Sequence, residues 1–306
     1  GRGLMESEVP RPVTSKNLRR LLRFVLSRPQ LIGMALAIGQ TLRPILPASI
    51  RQKVPMRQVR KTLPTDRHTR KMLILEGCIQ RTATPNTNDA ARRVLNKLGI
   101  TLIGAPQAGC CGAVNYHLAA HADGLDNMRR NIDAWWPHIQ SGAEAIVSSA
   151  SGCGAMLIDY GRLLADDQNY AEKAQRVSQL TQDLGEVLLD EDLDKLQLNT
   201  SIGKVAVHTP CTMQHALQRP DLPTAILHRA GFQLAVLREK LLCCGSAGTY
   251  SILQSTISER LREKTLQTLT DDNPALIATA NIGCQLHLQS QAGVPVVHWI
   301  ELLDAP

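Results

Sequence analysis

Eight cysteines carry most of the chemistry open to this chain, and their spacing repeats. They stand at Cys78, Cys110, Cys111 and Cys153, then at Cys211, Cys243, Cys244 and Cys284. Moving the first four along by 133 residues lands on Cys211, Cys243 and Cys244 and falls two residues past Cys284. Adjacent cysteines such as Cys110 and Cys111 rarely bridge to each other, because a disulfide has demanding geometry. They can, however, ligate neighbouring metal atoms. Soft thiolates select iron-sulfur clusters, zinc or copper, and no carboxylates accompany them at these positions. Gly112 and Gly245 follow the two pairs, and would let the backbone approach a bulky inorganic core and direct N–H groups at its sulfurs. A single buried cysteine is commonly a small core residue; eight in register point to a shared task. His208, His215 and His287 also lie near cysteines. We read them as hydrogen-bonded loop residues, with His287, third after Cys284, as an accessory candidate ligand.

The segments around these residues alternate between strand and helix patterns. KMLILEG, TLIGA and AEAIVSSA read as strands, separated by the helical NDAARRVLNKLG, closing at Gly99, and GLDNMRRNIDAWWPHI. Trp135 and Trp136 are expected in the core of that second helix. A charged helical stretch runs from Tyr170 to Leu198, after which KVAVHTP, FQLAVL and PALIATA read as strands and PTAILHRAG and ISERLREKTLQTL as helices. Such alternation predicts an α/β fold made of two tandem repeated subdomains with mainly parallel sheets. We expect a first repeat over residues 71–200 and a second over 201–306. Every cysteine then falls at the carboxyl end of a strand, where open α/β sheets bind their ligands. Helices starting soon after each CCG would add their positive ends.

Residues 1–70 read as a helical basic arm. Up to residue 71 there are 16 Lys and Arg against 3 acidic residues, a balance of +13, while the remainder has 18 against 24. Leu18, Leu21, Leu22 and Val25 share helical spacing, with Arg19, Arg20 and Arg23 between them. A basic amphipathic helix of this kind fits an anionic membrane surface, a partner subunit or its own domain. Its continuous apolar face, with little aromatic interleaving, argues against nucleic acid. The apolar run from Leu31 to Ile38 is too short for a bilayer and is bracketed by Pro29 and Pro44, so no transmembrane helix is expected. No signal-peptide pattern opens the chain, and a reducing compartment is expected, where organised cysteines bind metals more often than they form disulfides.

The doubled C…CCG…C pattern resembles the cysteine-rich CCG domains of heterodisulfide reductase, anaerobic glycerol-3-phosphate dehydrogenase and lactate-utilisation proteins. More specifically, LEGCIQRTATPNTNDAARRVLNKLGI, AGCCGAVNYHL, RRNIDAWWPHI, SASGCGAM, PCTMQHA, LCCGSAGTY and TANIGCQLHL resemble the glycolate oxidase (glycolate dehydrogenase) iron-sulfur subunit family. The resemblance spans nearly all of residues 15 to 304. It implies a cytoplasmic complex, peripheral at the inner face of the cytoplasmic membrane, in which flavin (FAD) sits only on partner glycolate oxidase subunits. Those partners would oxidise the 2-hydroxy acid, and this chain would pass the electrons toward the quinone pool.

Two departures from the family stand out. Its amino-terminal ferredoxin runs of the C-x-x-C-x-x-C-x-x-x-C-P type are absent, and GRGLMESEVP reads as a start partway through a longer protein. The heterodisulfide reductase pattern also ends in C-x-x-C, whereas Met156 and His287 occupy those places here. Four cysteines per half remain. These suit a 4Fe-4S cubane, a non-cubane cluster one ligand short, or zinc in one half, and the sequence leaves all three open. The alternatives in function are a zinc-stabilised scaffold that docks the flavin subunits and a thiol-disulfide redox subunit like heterodisulfide reductase.

Overall fold

The computed structural model describes Glu8, residues 12–239 and residues 243–304. Two parallel sheets organise it. The first contains β1 (Arg70–Leu75), β2 (Ile100–Gly104), β3 (Ile146–Ser148) and β4 (Thr181–Asp183) in the order β2-β1-β3-β4. The second contains β5 (Val205–His208), β6 (Leu276–Thr279) and β7 (Val296–His298) in that order. Apolar side chains fill both faces of β3 and β5, as in parallel sheets with helices on either side.

The second sheet copies the first in register. Leu75 pairs with Ser148 and His208 with Thr279, so β5 and β6 repeat β1 and β3. The copy of β2 is reduced. FQLAVL does not form the predicted strand; only Leu234 bridges to Val205. Gln233 and Ala235 make the two bonds to Val205 that close this bridge, and the other edge of the segment is tied elsewhere, the Val236 N–H donating to the Asp272 carboxylate at 3.0 Å. The predicted helical stretch after Tyr170 is likewise interrupted. A helix over Ala171–Leu180 gives way to β4, where Asp183 caps the next helix, Leu184–Leu189, by accepting from the Gly185 N–H while Glu186 accepts from the Asp183 N–H. Strands β4 and β7, three residues each, carry too little pattern to be seen in the sequence.

The principal helices follow their apolar periodicity. Ala90, Ala91, Val94 and Leu95 line the buried face of Pro85–Lys97, which ends at Gly99 in the left-handed region (φ +82°). Met128, Ile132 and Trp135 do the same for His121–Gln140. Trp136 is only half-buried, with the Lys173 ammonium 5.6 Å above its ring, and so is not the core residue expected.

One core serves both halves. Ala90, Val94 and Leu95 of the first half pack in the same cluster as Trp299, Ile300 and Leu303 of the second. Polar bonds cross alongside it. Arg93 grips Asp304 with two bonds of 2.9 and 2.7 Å, and Thr87 donates to Glu301 at 2.6 Å.

The basic arm folds back on the first half. Helix α1 (Val13–Leu26) and helix α2 (Pro29–Leu42) meet at a bend of 96°, and neither is long and apolar enough to cross a membrane. Further on, Arg60 makes a two-bond ion pair with buried Asp89, both bonds 2.7 Å. Of the expected apolar face of α1, Leu22 and Val25 are half-buried and Leu18 and Leu21 are exposed.

Acid should weaken the junction between the halves. His298 is buried; its Nε2 lies 2.7 Å from the Ser149 carbonyl and its Nδ1 accepts from the Ile300 N–H. Only the neutral ring makes both bonds, and burial lowers its pKa from 6.5 to about 4. Its contribution is thus full above 6.5 and lost as pH falls through 4. Asp183, raised by burial to about 7, tilts stability the other way over much of that range. The measurement is therefore a comparison with His298→Gln. The wild-type advantage in denaturant unfolding should shrink between pH 6.5 and 4, and a constant difference would contradict it.

Candidate metal centres

Three loops in each half deliver four thiols to one place. In the order β2-β1-β3 the chain leaves β1 in one direction to reach β2 and crosses back to reach β3, which makes a switch point at the carboxyl ends of the strands. Cys78 follows β1, Cys110 and Cys111 follow β2, and Cys153 lies in the first turn of helix Ser151–Ile158 after β3. The second half repeats this. Cys211 opens the helix after β5, Cys243 and Cys244 follow the Leu234 bridge, and Cys284 lies in helix Ile282–Gln289 after β6. Leu242 of the LCCG motif lies outside the described residues.

The thiols touch in the same sequence in both halves. Cys78 lies beside Cys110, Cys110 beside Cys111, and Cys111 beside Cys153. Likewise Cys211 lies 4.0 Å from Cys243, which lies beside Cys244, and Cys244 beside Cys284. All eight are free thiols. Bonds from its neighbours and from the following glycine N–H hold the first cysteine of each pair, Cys110 and Cys243, far below an ordinary thiol pKa. The same bonds, with burial and mutual repulsion, push Cys78, Cys111, Cys211 and Cys244 up. Full deprotonation therefore needs a cation among the sulfurs. A soft metal or an iron-sulfur cluster fits this donor set.

The two glycines have a further reason to be there. Gly112 (φ +92°) and Gly245 (φ +88°) occupy the left-handed region. A β-carbon on Gly112 would come 2.8 Å from the Gly124 carbonyl oxygen, and one on Gly245 would strike that of Ser258. In each half a neighbouring helix thus presses directly on the CCG turn. The Gly245 N–H donates to Cys243 Sγ at 3.4 Å. The expected dipole contribution is unequal: a five-residue helix starts at Ala113 directly after the first CCG, but the next helix after the second begins only at Tyr250.

Several residues that support the thiols carry no signal in the sequence. Buried Asn131 accepts from the Gly109 N–H at 2.8 Å and donates to the Cys110 carbonyl and to Tyr160 Oη, both at 3.0 Å. Tyr160 in turn donates to the Cys111 carbonyl at 2.8 Å. Asn281 donates to Cys284 Sγ at 3.4 Å. His287 faces Ser258 Oγ at 3.1 Å, and Ser258 donates to the Gly245 carbonyl at 2.7 Å. His287 therefore braces the CCG turn, and His215 is exposed. His208 is not a loop residue: it is fully buried at the end of β5, with a ring nitrogen that lies together with Cys244 and Cys284 Sγ inside 4.8 Å.

The doubled sheet, with four thiols gathered at each switch point, defines a tandem cysteine-rich α/β protein. The cysteine-rich domain (CCG) model matches residues 72–158 and again 205–289. The chain is 47% identical over 305 residues to the glycolate oxidase iron-sulfur subunit of Escherichia coli (strain K12), covering 99% of this chain and 75% of that protein. A "Probable glycolate oxidase iron-sulfur subunit" of Bacillus subtilis (strain 168) is 27% identical, over 72% of this chain and 49% of its own length. Lactate utilization protein A of Bacillus licheniformis is also 27% identical, over 77% of this chain and 99% of its own length. The chain belongs to the glycolate oxidase iron-sulfur subunit family, within the cysteine-rich CCG proteins.

Gly245→Ala tests the packing of the CCG turn. A left-handed alanine costs roughly 1–2 kcal/mol, and overpacking against Ser258 adds about 1–3 kcal/mol. The variant should lose stability by that sum in denaturant unfolding and bind less metal in the second half, with the first half unaffected. Wild-type stability would show that the turn has room to spare.

Proposed function

We propose that this chain is the electron-transfer subunit of a glycolate (2-hydroxy acid) dehydrogenase complex, with one iron-sulfur centre in each half. The observation that carries the reading is the duplicated chain of four thiols at the two switch points, in a chain 47% identical to a glycolate oxidase iron-sulfur subunit. Cys78, Cys110, Cys111 and Cys153 would hold the first centre, and Cys211, Cys243, Cys244 and Cys284 the second. A bound cluster supplies one-electron carriage. The flavin-bearing partner subunits would remove two electrons and two protons from glycolate to give glyoxylate. A quinone would finally accept both electrons together with two protons.

The chain's own residues fix the sulfurs and, in the first half, shield two of them from water. Ile32 of α2 packs on Cys78 and Cys110, with Val25, Leu36 and Ile79 around it, so the arm roofs the first centre. Asn131 and Tyr160 hold the carbonyls of Cys110 and Cys111. The second centre is more open, with Cys211 and Cys243 half-buried. A zinc centre is the second reading for that half, since a histidine nitrogen beside two thiols also suits zinc.

Iron, sulfide and zinc analysis of the anaerobically purified chain tests this, with electron paramagnetic resonance on wild type, Cys110→Ser and Cys243→Ser. Each variant should lose one cluster signal and keep the other. Stoichiometric zinc without a paramagnetic signal would replace the electron carrier with a structural scaffold.

We further propose that the arm seats the complex peripherally on the anionic inner face of the cytoplasmic membrane. Leu18, Leu21 and Phe24 of α1 are 40%, 58% and 53% exposed beside Arg20 and Arg23. Deleting the arm would also unroof Cys78 and Cys110, so point variants are the cleaner test. Replacing these three apolar residues with glutamate should abolish flotation with anionic vesicles while leaving iron content unchanged. Undiminished flotation would remove the lipid role.

A further inference from the structure

Position 208 breaks the symmetry between the two centres. Since β5 and β6 repeat the register of β1 and β3, His208 opposite Thr279 stands where Leu75 stands opposite Ser148. Both side chains are buried, Leu75 3% and His208 0% exposed. An apolar residue therefore suffices at this place in the first half. The imidazole brings a cost in the second. Its Nδ1 pairs with Thr279 Oγ1 at 2.9 Å, but its Nε2 is buried and has no hydrogen-bond partner among the described residues. A buried polar atom of this kind loses its water and gains nothing in return, which destabilises the fold. The ring lies against thiols: one of its nitrogens, Cys244 Sγ and Cys284 Sγ all fall within 4.8 Å of one another.

We propose that His208 is a metal ligand of the second centre, so that this centre has a mixed sulfur-nitrogen donor set while the first is all sulfur. With the Nδ1–H donating to Thr279 Oγ1, the ring is held in the tautomer that leaves the Nε2 lone pair free for a metal. This is the usual arrangement for a ligating imidazole, one nitrogen on the metal and the other on an oriented acceptor. The otherwise orphaned atom then has a partner, and the cost of burying it is recovered on metal binding. The nitrogen donor is neutral where a thiolate is anionic, so it adds a ligand without adding negative charge to four crowded sulfurs. Iron and zinc both accept such a set.

The inference rests on the reading that the second cysteine set holds metal, and the experiment separates the two. Full-length Cys110→Ser protein, in which the second centre is the one left intact, is prepared with natural and with 15N-labelled histidine. Pulsed paramagnetic resonance of the reduced iron centre should show a nitrogen coupling that changes with the label. The coupling should vanish in His208→Leu and persist in His287→Gln. If the metal is zinc, its X-ray absorption should show one nitrogen among the sulfurs, lost in His208→Leu. Should that variant fail to fold, the label-dependent coupling, or for zinc the nitrogen among its sulfurs, in the protein with His208 intact decides the matter. A metal-loaded second centre with sulfur donors only would overturn the proposal and spare the electron-carrier reading. A second half free of both iron and zinc would overturn both.

Discussion

Thiols packed side by side can give up their protons together only if a cation sits among them. The crowding pulls neighbours apart: Cys110 in one half and Cys243 in the other are held low, while Cys78, Cys111, Cys211 and Cys244 beside them are pushed up. The adjacent pair makes this possible: the peptide between Cys110 and Cys111 places one sulfur toward the loop after β1 and the next toward the helix after β3. The glycine that follows supplies an N–H to the first of them. It also permits the tight return of the chain beneath a neighbouring helix. Burial, which would normally oppose thiolate formation, then strengthens the demand for a metal, most of all at the buried Cys78, Cys110 and Cys111 of the first half, where little water can share the charge.

The same constraint is met by different means in the two halves. In the first, a side-chain network through Asn131 and Tyr160 ties down the backbone of the pair, and an arm helix seals the sulfurs with Ile32. In the second, a serine and a histidine brace the turn, two sulfurs stay half-buried, and a strand has shrunk to a single bridge. Duplication preserved the register of the two central strands. Around that register the surroundings diverged, so the two centres differ in solvent access and in nearby dipoles. For iron-sulfur centres, these are among the factors that set reduction potential.

Much of this was legible in the sequence because a repeat announces itself twice. The doubled cysteine spacing and the strand-cysteine order pointed to two parallel sheets, and the strands bearing Cys78, Cys153, Cys211 and Cys284 formed where expected. What stayed hidden was set by tertiary partners. FQLAVL has a good strand pattern, yet it pairs with β5 at a single bridge, and the far side of the segment is held by Asp272, some 36 residues on, through the Val236 N–H. Strands β4 and β7 owe their existence to neighbours rather than to three residues of their own. His208 looked like any histidine near a cysteine, since only the register of β5 against β6 shows which way it is buried. Asn131 lies twenty residues from the nearest cysteine, and nothing in its sequence context separates it from other helix residues.

The two thiol sets are also joined through residues beside their cysteines. The Ser151 N–H donates to the Ala280 carbonyl at 3.1 Å, and Ser151 Oγ lies 2.7 Å from Thr212 Oγ1. Ser151 is two residues before Cys153, and Thr212 directly follows Cys211. Asn281, which donates to Cys284, also has its Oδ1 close to Gly152, the residue before Cys153. With Arg93 on Asp304 and a shared hydrophobic core behind them, the cysteine loops of one half are built on those of the other. A loop anchored at both ends moves little when the charge beside it changes. Rigid placement of the sulfurs would suit the proposed electron carrier, and the fold provides it by making the interface between its halves part of the support of both thiol sets.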